Sequence, residues 1–229
     1  MKIRKLQFAA AFATSLLVVT CQSGLMDFRK SDAEQKKVLL KKGQANVQFL
    51  TYETGGRKMH YTQAGADTLP LVLFLHGAPG SSSAILDYLA DTQLLNFAQV
   101  IAVDRPGYGY SDFGKAERSL EKQAAAVKPI LEKRREIGKA AGKLSKTILV
   151  GHSYGGPLIA RMAMDFPELV DGLVIVAGSI DPDLEPKPWW QYPLDWQAVR
   201  WMLPTAWRVS NQEIIPLRKE LTEMLPLWE

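Results

Sequence analysis

The sequence predicts an α/β fold: a mostly parallel sheet with helices on both faces, an antiparallel hairpin at its N-terminal edge, and a helical, tryptophan-rich segment after the last strand. Three observations carry this expectation. Residues 71–75, 100–103, 147–150 and 173–176 are almost wholly aliphatic, as strands buried on both faces are. Between the second and third of these runs, apolar residues step by three and four, the period of a helix with one buried face. The glycine pair Gly55-Gly56 splits two alternating segments, which is the pattern of a hairpin.

The chain opens with Lys2, Arg4 and Lys5, followed by twelve uncharged residues, 8–19. That run is too short for a membrane span of ~20 residues and suits an export signal. It ends at Cys21, the only cysteine, and a lone thiol makes no internal disulfide. Val18-Val19-Thr20-Cys21 resembles the lipobox of bacterial lipoproteins, which implies cleavage before Cys21 and lipidation of it. Gln22 is similar to the residue found there in lipoproteins sent to an outer membrane, so the resemblance implies anchoring there, facing the periplasm. Ordinary secretory cleavage and an uncleaved anchor are the alternatives. The domain organisation expected is a signal over residues 1–21, a polar tether with at most one short helix over 22–45, a core over 46–180 and a partial helical cap over 181–229.

Composition is that of a globular protein, 47% hydrophobic and 23% charged, which excludes disordered and collagen-like classes. The 28 basic and 24 acidic side chains give +4, but the charge is unevenly placed. Residues 115–146 hold ten Lys or Arg against four Glu and no aromatic residue. A nucleic-acid face interleaves basic residues with stacking rings, so nucleic acid is not expected as a partner. The excess is instead the solvated side of the helix marked by Leu120, Ala124, Val127, Leu131, Arg134, Ile137, Ala141 and Leu144, which Pro129 should kink or divide. Residues 157–166 read as another helix, stopped by Pro167.

Chemistry is sought at the carboxyl ends of the strands, where open α/β sheets bind ligands. Residues 147–150 run directly into Gly151-His152-Ser153-Tyr154-Gly155 and then a helix. A G-x-S-x-G between strand and helix is a nucleophile elbow, a sharp turn that lifts the serine hydroxyl above the sheet edge. Ser153 is therefore the candidate nucleophile. An earlier strand ends in His76-Gly77-Ala78-Pro79-Gly80, and the next in Asp104-Arg105-Pro106-Gly107-Tyr108-Gly109-Tyr110-Ser111. These three motifs together resemble the α/β-hydrolase fold family, in its epoxide-hydrolase-like and proline-iminopeptidase-like branch, over about residues 46–180. The resemblance implies that the backbone N–H groups of Ala78 and Tyr154 form an oxyanion hole, and that no cofactor is used. Serine rather than aspartate at position 153 argues against epoxide opening or dehalogenation, and Ala78 departs from the Gly-Gly-Pro-Gly of proline iminopeptidases.

Other polar residues read as structural. His76 and His152 flank the site; the resemblance implies structural rings for both, and His152, on the sharp turn itself, does not easily reach the Ser153 hydroxyl. His60 reads as a surface or packing residue, Asp104 and Arg105 as shapers of their loop. Three scattered histidines and one cysteine make no recognisable metal site. All six tryptophans lie in the last 41 residues, among prolines and irregular apolar spacing that suggest short helices. The resemblance makes this segment a cap over an apolar pocket, its rings mostly packing. The family adds further strands carrying an acid and then a histidine, and no histidine follows His152; Asp181 and Asp183 are possible early acids. The expectation is an exported serine hydrolase acting on a small apolar ester, less so an amide or lactone. The 229 residues are then the N-terminal part of a longer product, or else a catalytically inactive, membrane-tethered binding lipoprotein.

Overall fold

The computed structural model describes residues 28–142, 146–185, 189 and 191–227. Its six strands are β1 (Val47–Thr54), β2 (Arg57–Ala64), β3 (Leu71–Leu75), β4 (Gln99–Asp104), β5 (Thr147–His152) and β6 (Gly172–Val176). They form one sheet in the order β1-β2-β4-β3-β5-β6. β1 and β2 pair antiparallel through the Gly55-Gly56 turn, and β2 joins β4 antiparallel. The pairs β3–β4, β3–β5 and β5–β6 are parallel. The sheet thus reverses its order beside β3, and the ends of β3 and β5 are neighbours, with Leu75 level with Gly151. That places the two glycine-rich loops side by side, at the kind of switch point where ligands bind.

The helices are α1 (Asp32–Lys41), α2 (Leu86–Leu89), α3 (Thr92–Leu95), α4 (Leu120–Ala140), α5 (Gly155–Asp165), α6 (Gln197–Arg200) and α7 (Thr205–Met224). Alternate side chains of β3 enter opposite layers, as the strand's period of two requires. Leu71, Leu73 and Leu75 pack with Val127 and Leu131 of α4 and with Leu158, Ile159 and Met162 of α5. Phe74 packs with Leu86 and Leu89 of α2 and with Leu39 of α1 on the other side. Each fully buried leucine contributes roughly 1.5–3 kcal/mol. Pro129 sits inside a continuous α4 rather than dividing it. It leaves the carbonyl four residues back without an N–H partner, and the Tyr52 hydroxyl donates to the adjacent Ala126 carbonyl at 2.7 Å.

Two expectations are corrected and two are made sharper. The short helix expected within residues 22–45 is α1, closed by a Ser31–Glu34 capping box and docked through a completely buried Leu39. Its mostly polar face hides that anchor from a periodicity count. The 173–176 run was expected to be covered on both faces, yet its four residues are 38–47% exposed. The cause is position, since among the described residues β6 is flanked by a strand on one side alone, β5. The tail is not only short helices, because α7 runs for 20 residues through Pro216. Val209, Glu213, Leu217, Leu221 and Met224 form its buried stripe, in which Pro216 and a carboxylate disguise the period. Finally, of the two places expected for His60, surface or packing, it takes the packed one and is buried.

Candidate active site

Ser153 follows β5 with φ of +50°, a left-handed conformation that a residue with a side chain adopts only under constraint. The constraint is visible in its neighbours. The Ser153 N–H donates to the Val176 carbonyl at 3.0 Å, and its own carbonyl accepts from Gly156 N–H at 2.8 Å. A Cβ at Gly151 would lie 2.2 Å from the Gly155 oxygen, and one at Gly155 would lie 2.2 Å from the Leu75 oxygen. Both glycines are therefore required by close backbone approach, and they force the sharp reversal from β5 into α5.

The loop after β3 presses on this turn. A Cβ at Gly77 would come 3.0 Å from Ser153 Cβ and 3.1 Å from His152 Nδ1. Among the described residues, neither the Ala78 nor the Tyr154 amide donates a hydrogen bond, so two open N–H groups belong to the two loops that meet at Ser153. Ser153 opens on a cavity of about 380 Å³ with an apolar wall of Phe74, Ala78, Ile85, Tyr88 and Val176.

No described side chain hydrogen-bonds the Ser153 hydroxyl. His76 uses both ring nitrogens elsewhere: Nδ1–H donates to the Gly77 carbonyl at 2.7 Å, and Nε2 accepts from Arg105 N–H at 3.1 Å. Burial, reinforced by the Arg105 charge, pushes its pKa down to about 3, so it stays neutral and fixed. His152 is exposed and lies against Gly77. Asp181 and Asp183 sit on an exposed turn beyond β6, joined to each other through the Asp183 N–H at 2.9 Å.

The family model of the alpha/beta hydrolase fold matches residues 70–201. The chain belongs to the alpha/beta hydrolase fold family. Among curated proteins it is similar to Epoxide hydrolase 1 of Caenorhabditis elegans, 32% identical over 51% of this chain and 27% of that protein. It is equally similar to Epoxide hydrolase 4 of Mus musculus, 32% identical over 56% of this chain and 33% of that protein. The chain thus spans about a third of the length of the curated relatives it matches. Among solved structures, wild-type Cfl2 from Burkholderia cenocepacia superposes with a TM-score of 0.61 at 16% identity, covering 80% of this chain and 75% of that one. That likeness concerns the fold alone.

In this hydrolase fold the loop after β4 is a brace. Asp104 accepts from Ser82 N–H at 2.6 Å, Tyr110 N–H at 2.9 Å and His60 Nδ1 at 2.8 Å. Burial raises its pKa, but His60 and the two N–H donors outweigh that and hold it below the usual carboxylate value. Arg105 is completely buried and donates to the His76 carbonyl at 2.9 Å and the Gly77 carbonyl at 3.1 Å. Its charge is met by Glu213 of α7 in a two-pronged pair, 2.8 and 2.9 Å. Tyr108 donates to Glu213 at 2.6 Å, and Gln123 bridges Glu213 and the Tyr154 hydroxyl. The segment after β6 is thereby tied to both loops that flank Ser153. Glu213 escaped the sequence reading; the available signal was a carboxylate on the apolar stripe of α7, which buries a charge and so demands a cation. Cys21 lies outside the described residues.

Proposed function

We propose that the protein is an exported, membrane-anchored serine hydrolase that cleaves an ester of small or medium acyl chain through an acyl-Ser153 intermediate, with lipidation at Cys21. The observation that carries the reading is Ser153 held at φ +50° between two loops whose Ala78 and Tyr154 N–H groups are open. Ser153 Oγ adds to the ester carbonyl, and the oxygen that becomes negative accepts from those two amides, each worth roughly 3 kcal/mol in the transition state. The alkoxide departs with a proton, and water then cleaves the acyl-enzyme. The apolar wall of the cavity favours apolar acyl groups.

Serine also argues against the chemistry in the relatives' names. Opening of an epoxide by a serine hydroxyl leaves an alkyl ether, which water does not cleave, whereas an acyl-serine turns over. The base that takes the Ser153 proton, and the carboxylate that orients it, are assigned to the full protein beyond residue 229. The test is a fluorophosphonate probe and a series of nitrophenyl esters applied to the full gene product. Labelling at Ser153 and turnover lost in Ser153→Ala support the reading, and resistance to both sinks it. A non-catalytic binding lipoprotein is the second reading, favoured by the absence of any described side chain on the Ser153 hydroxyl; an unreactive full protein is its expected result.

A further inference from the structure

We infer that Arg105 is a positioning residue for the proposed reaction: from the buried side it fixes and polarises the Gly77–Ala78 peptide whose N–H receives the oxyanion, and Glu213 of α7 holds it there. This role rests on the acyl-Ser153 reading above and supplies the group that aims one of its two donors. Gly77 is where such a group is needed. A Cβ at that position would lie 3.0 Å from Ser153 Cβ, so the close approach requires a glycine, and a glycine leaves its backbone freer to turn than any other residue does. An oxyanion donor acts by being in place before the charge develops, so an N–H that swings with a loose peptide stabilises little.

Two donors remove that freedom. The Gly77 carbonyl accepts from Arg105 Nη2 at 3.1 Å and from His76 Nδ1 at 2.7 Å. In a planar trans peptide the carbonyl and the following N–H point in opposite directions. With the oxygen drawn to the buried guanidinium, the Ala78 N–H faces away from it, and Ala78 lines the cavity together with Ser153. A cation on the oxygen also draws electron density from the N–H at the other end of the same peptide, which makes it a stronger donor. His76 assists in one tautomer alone, and Arg105 sets that tautomer through its backbone N–H, which donates to Nε2 at 3.1 Å. The guanidinium further lies over the Tyr154 ring, 4.5 Å from its centroid, so it meets both loops whose amides are open.

The fork shape of arginine is used in full. Its five side-chain N–H groups go to the His76 carbonyl, the Gly77 carbonyl, Gln123 and the two oxygens of Glu213. Lysine has the charge but a single ammonium, which cannot hold the Glu213 pair and both carbonyls at once. Because Glu213 belongs to α7, the seat of that helix and the aim of the Ala78 N–H form one arrangement. A buried ion pair that served the fold alone would be dispensable once apolar groups replace both charges, as such pairs often are. The positioning role would not survive that replacement.

The full gene product and the nitrophenyl ester it turns over best provide the test. Rates are expressed per serine labelled exhaustively by the fluorophosphonate, so a poorly folded variant loses sites and not rate per site. Arg105→Met/Glu213→Leu is expected to keep most of the parental stability while kcat/KM per site falls about 10²-fold, the loss typical of one missing oxyanion donor. Arg105→Lys, the second variant, should lose at least about tenfold by the same reasoning. Affinity for the trifluoromethyl ketone of the same acyl chain, whose tetrahedral adduct carries the oxyanion, should fall by the same factor as kcat/KM. The corresponding alcohol, which forms no adduct, should bind as it does to the parent. Parental kcat/KM per site in either variant, or a loss of affinity shared equally by ketone and alcohol, overturns the positioning role and leaves the serine-hydrolase reading standing. A parent protein inert to both the probe and the esters overturns that reading and the positioning role with it.

Discussion

Arg105 and Glu213 carry opposite full charges with no exposed surface. Burial works against the Arg105 charge, but Glu213 more than compensates and raises its pKa above the ordinary value. Removing one partner strands the other, so Glu213→Leu should destabilise the fold by about 3–5 kcal/mol, whereas Arg105→Met/Glu213→Leu should recover most of the loss. Denaturant unfolding of the three proteins measures this; a Glu213→Leu chain as stable as the parent would mean that Gln123 and the loop carbonyls satisfy Arg105 unaided. His76 supplies a pH dependence of definite sign. Its folded pKa of about 3 lies well below the ordinary histidine value of 6.5, so between those limits the unfolded chain binds the extra proton. Stability is complete above pH ~6.5 and falls as the pH drops toward ~3, at up to about 1.4 kcal/mol per pH unit. In His76→Asn that part of the slope should vanish from unfolding free energies measured across the window. At this scale the positions of Ser153, Ala78 and Tyr154 in their loops were readable, their roles being proposals, because each stands at a fixed offset from a glycine that backbone contacts demand. Glu213 was not, since its partner is 108 positions away and no local pattern joins them.

Elements were legible where one rule governs them. β3, β4 and β5 are aliphatic because both faces are covered, while β1 mixes half-buried and exposed positions at the sheet's edge and β2, inside it, is buried on both faces at Met59–Thr62. α1, α7 and the exposure of β6 obey tertiary circumstances instead: a single buried leucine, a stripe interrupted by Pro216, and a place at the sheet's end. β6 also carries a hazard. Among the described residues no strand lies on its outer side, where Leu173, Val174, Ile175 and Val176 are exposed, and such an edge is a template for intermolecular pairing. Val174→Lys is expected to lower the light scattering of concentrated 229-residue protein while leaving its circular dichroism unchanged. If scattering is unaltered, association runs through another surface, the tryptophan-bearing one being the next to test.

For the molecule as a whole, the parts of the proposed serine hydrolase site are unequally present. The sheet brings the β3 and β5 loops together, the glycines hold Ser153 in its strained turn, and the Arg105–Glu213 pair ties the segment after β6 to both loops. Among the described residues, no side chain is hydrogen-bonded to the Ser153 hydroxyl as a proton acceptor. Of the three histidines, His60 is bound to Asp104 at 2.8 Å and His76 has both nitrogens occupied. His152 is exposed beside Gly77, with no hydrogen bond to the hydroxyl. A serine hydroxyl without a positioned base keeps its high pKa, and loss of a triad member in serine hydrolases costs roughly 10⁴–10⁶ in rate. The 229-residue chain is therefore expected to show no measurable turnover of nitrophenyl esters above the buffer rate, in the same assay that the full gene product should pass. Esterase activity of the purified 229-residue chain that disappears in Ser153→Ala would overturn this, and loss of that activity in His152→Ala would then identify the exposed imidazole as the base.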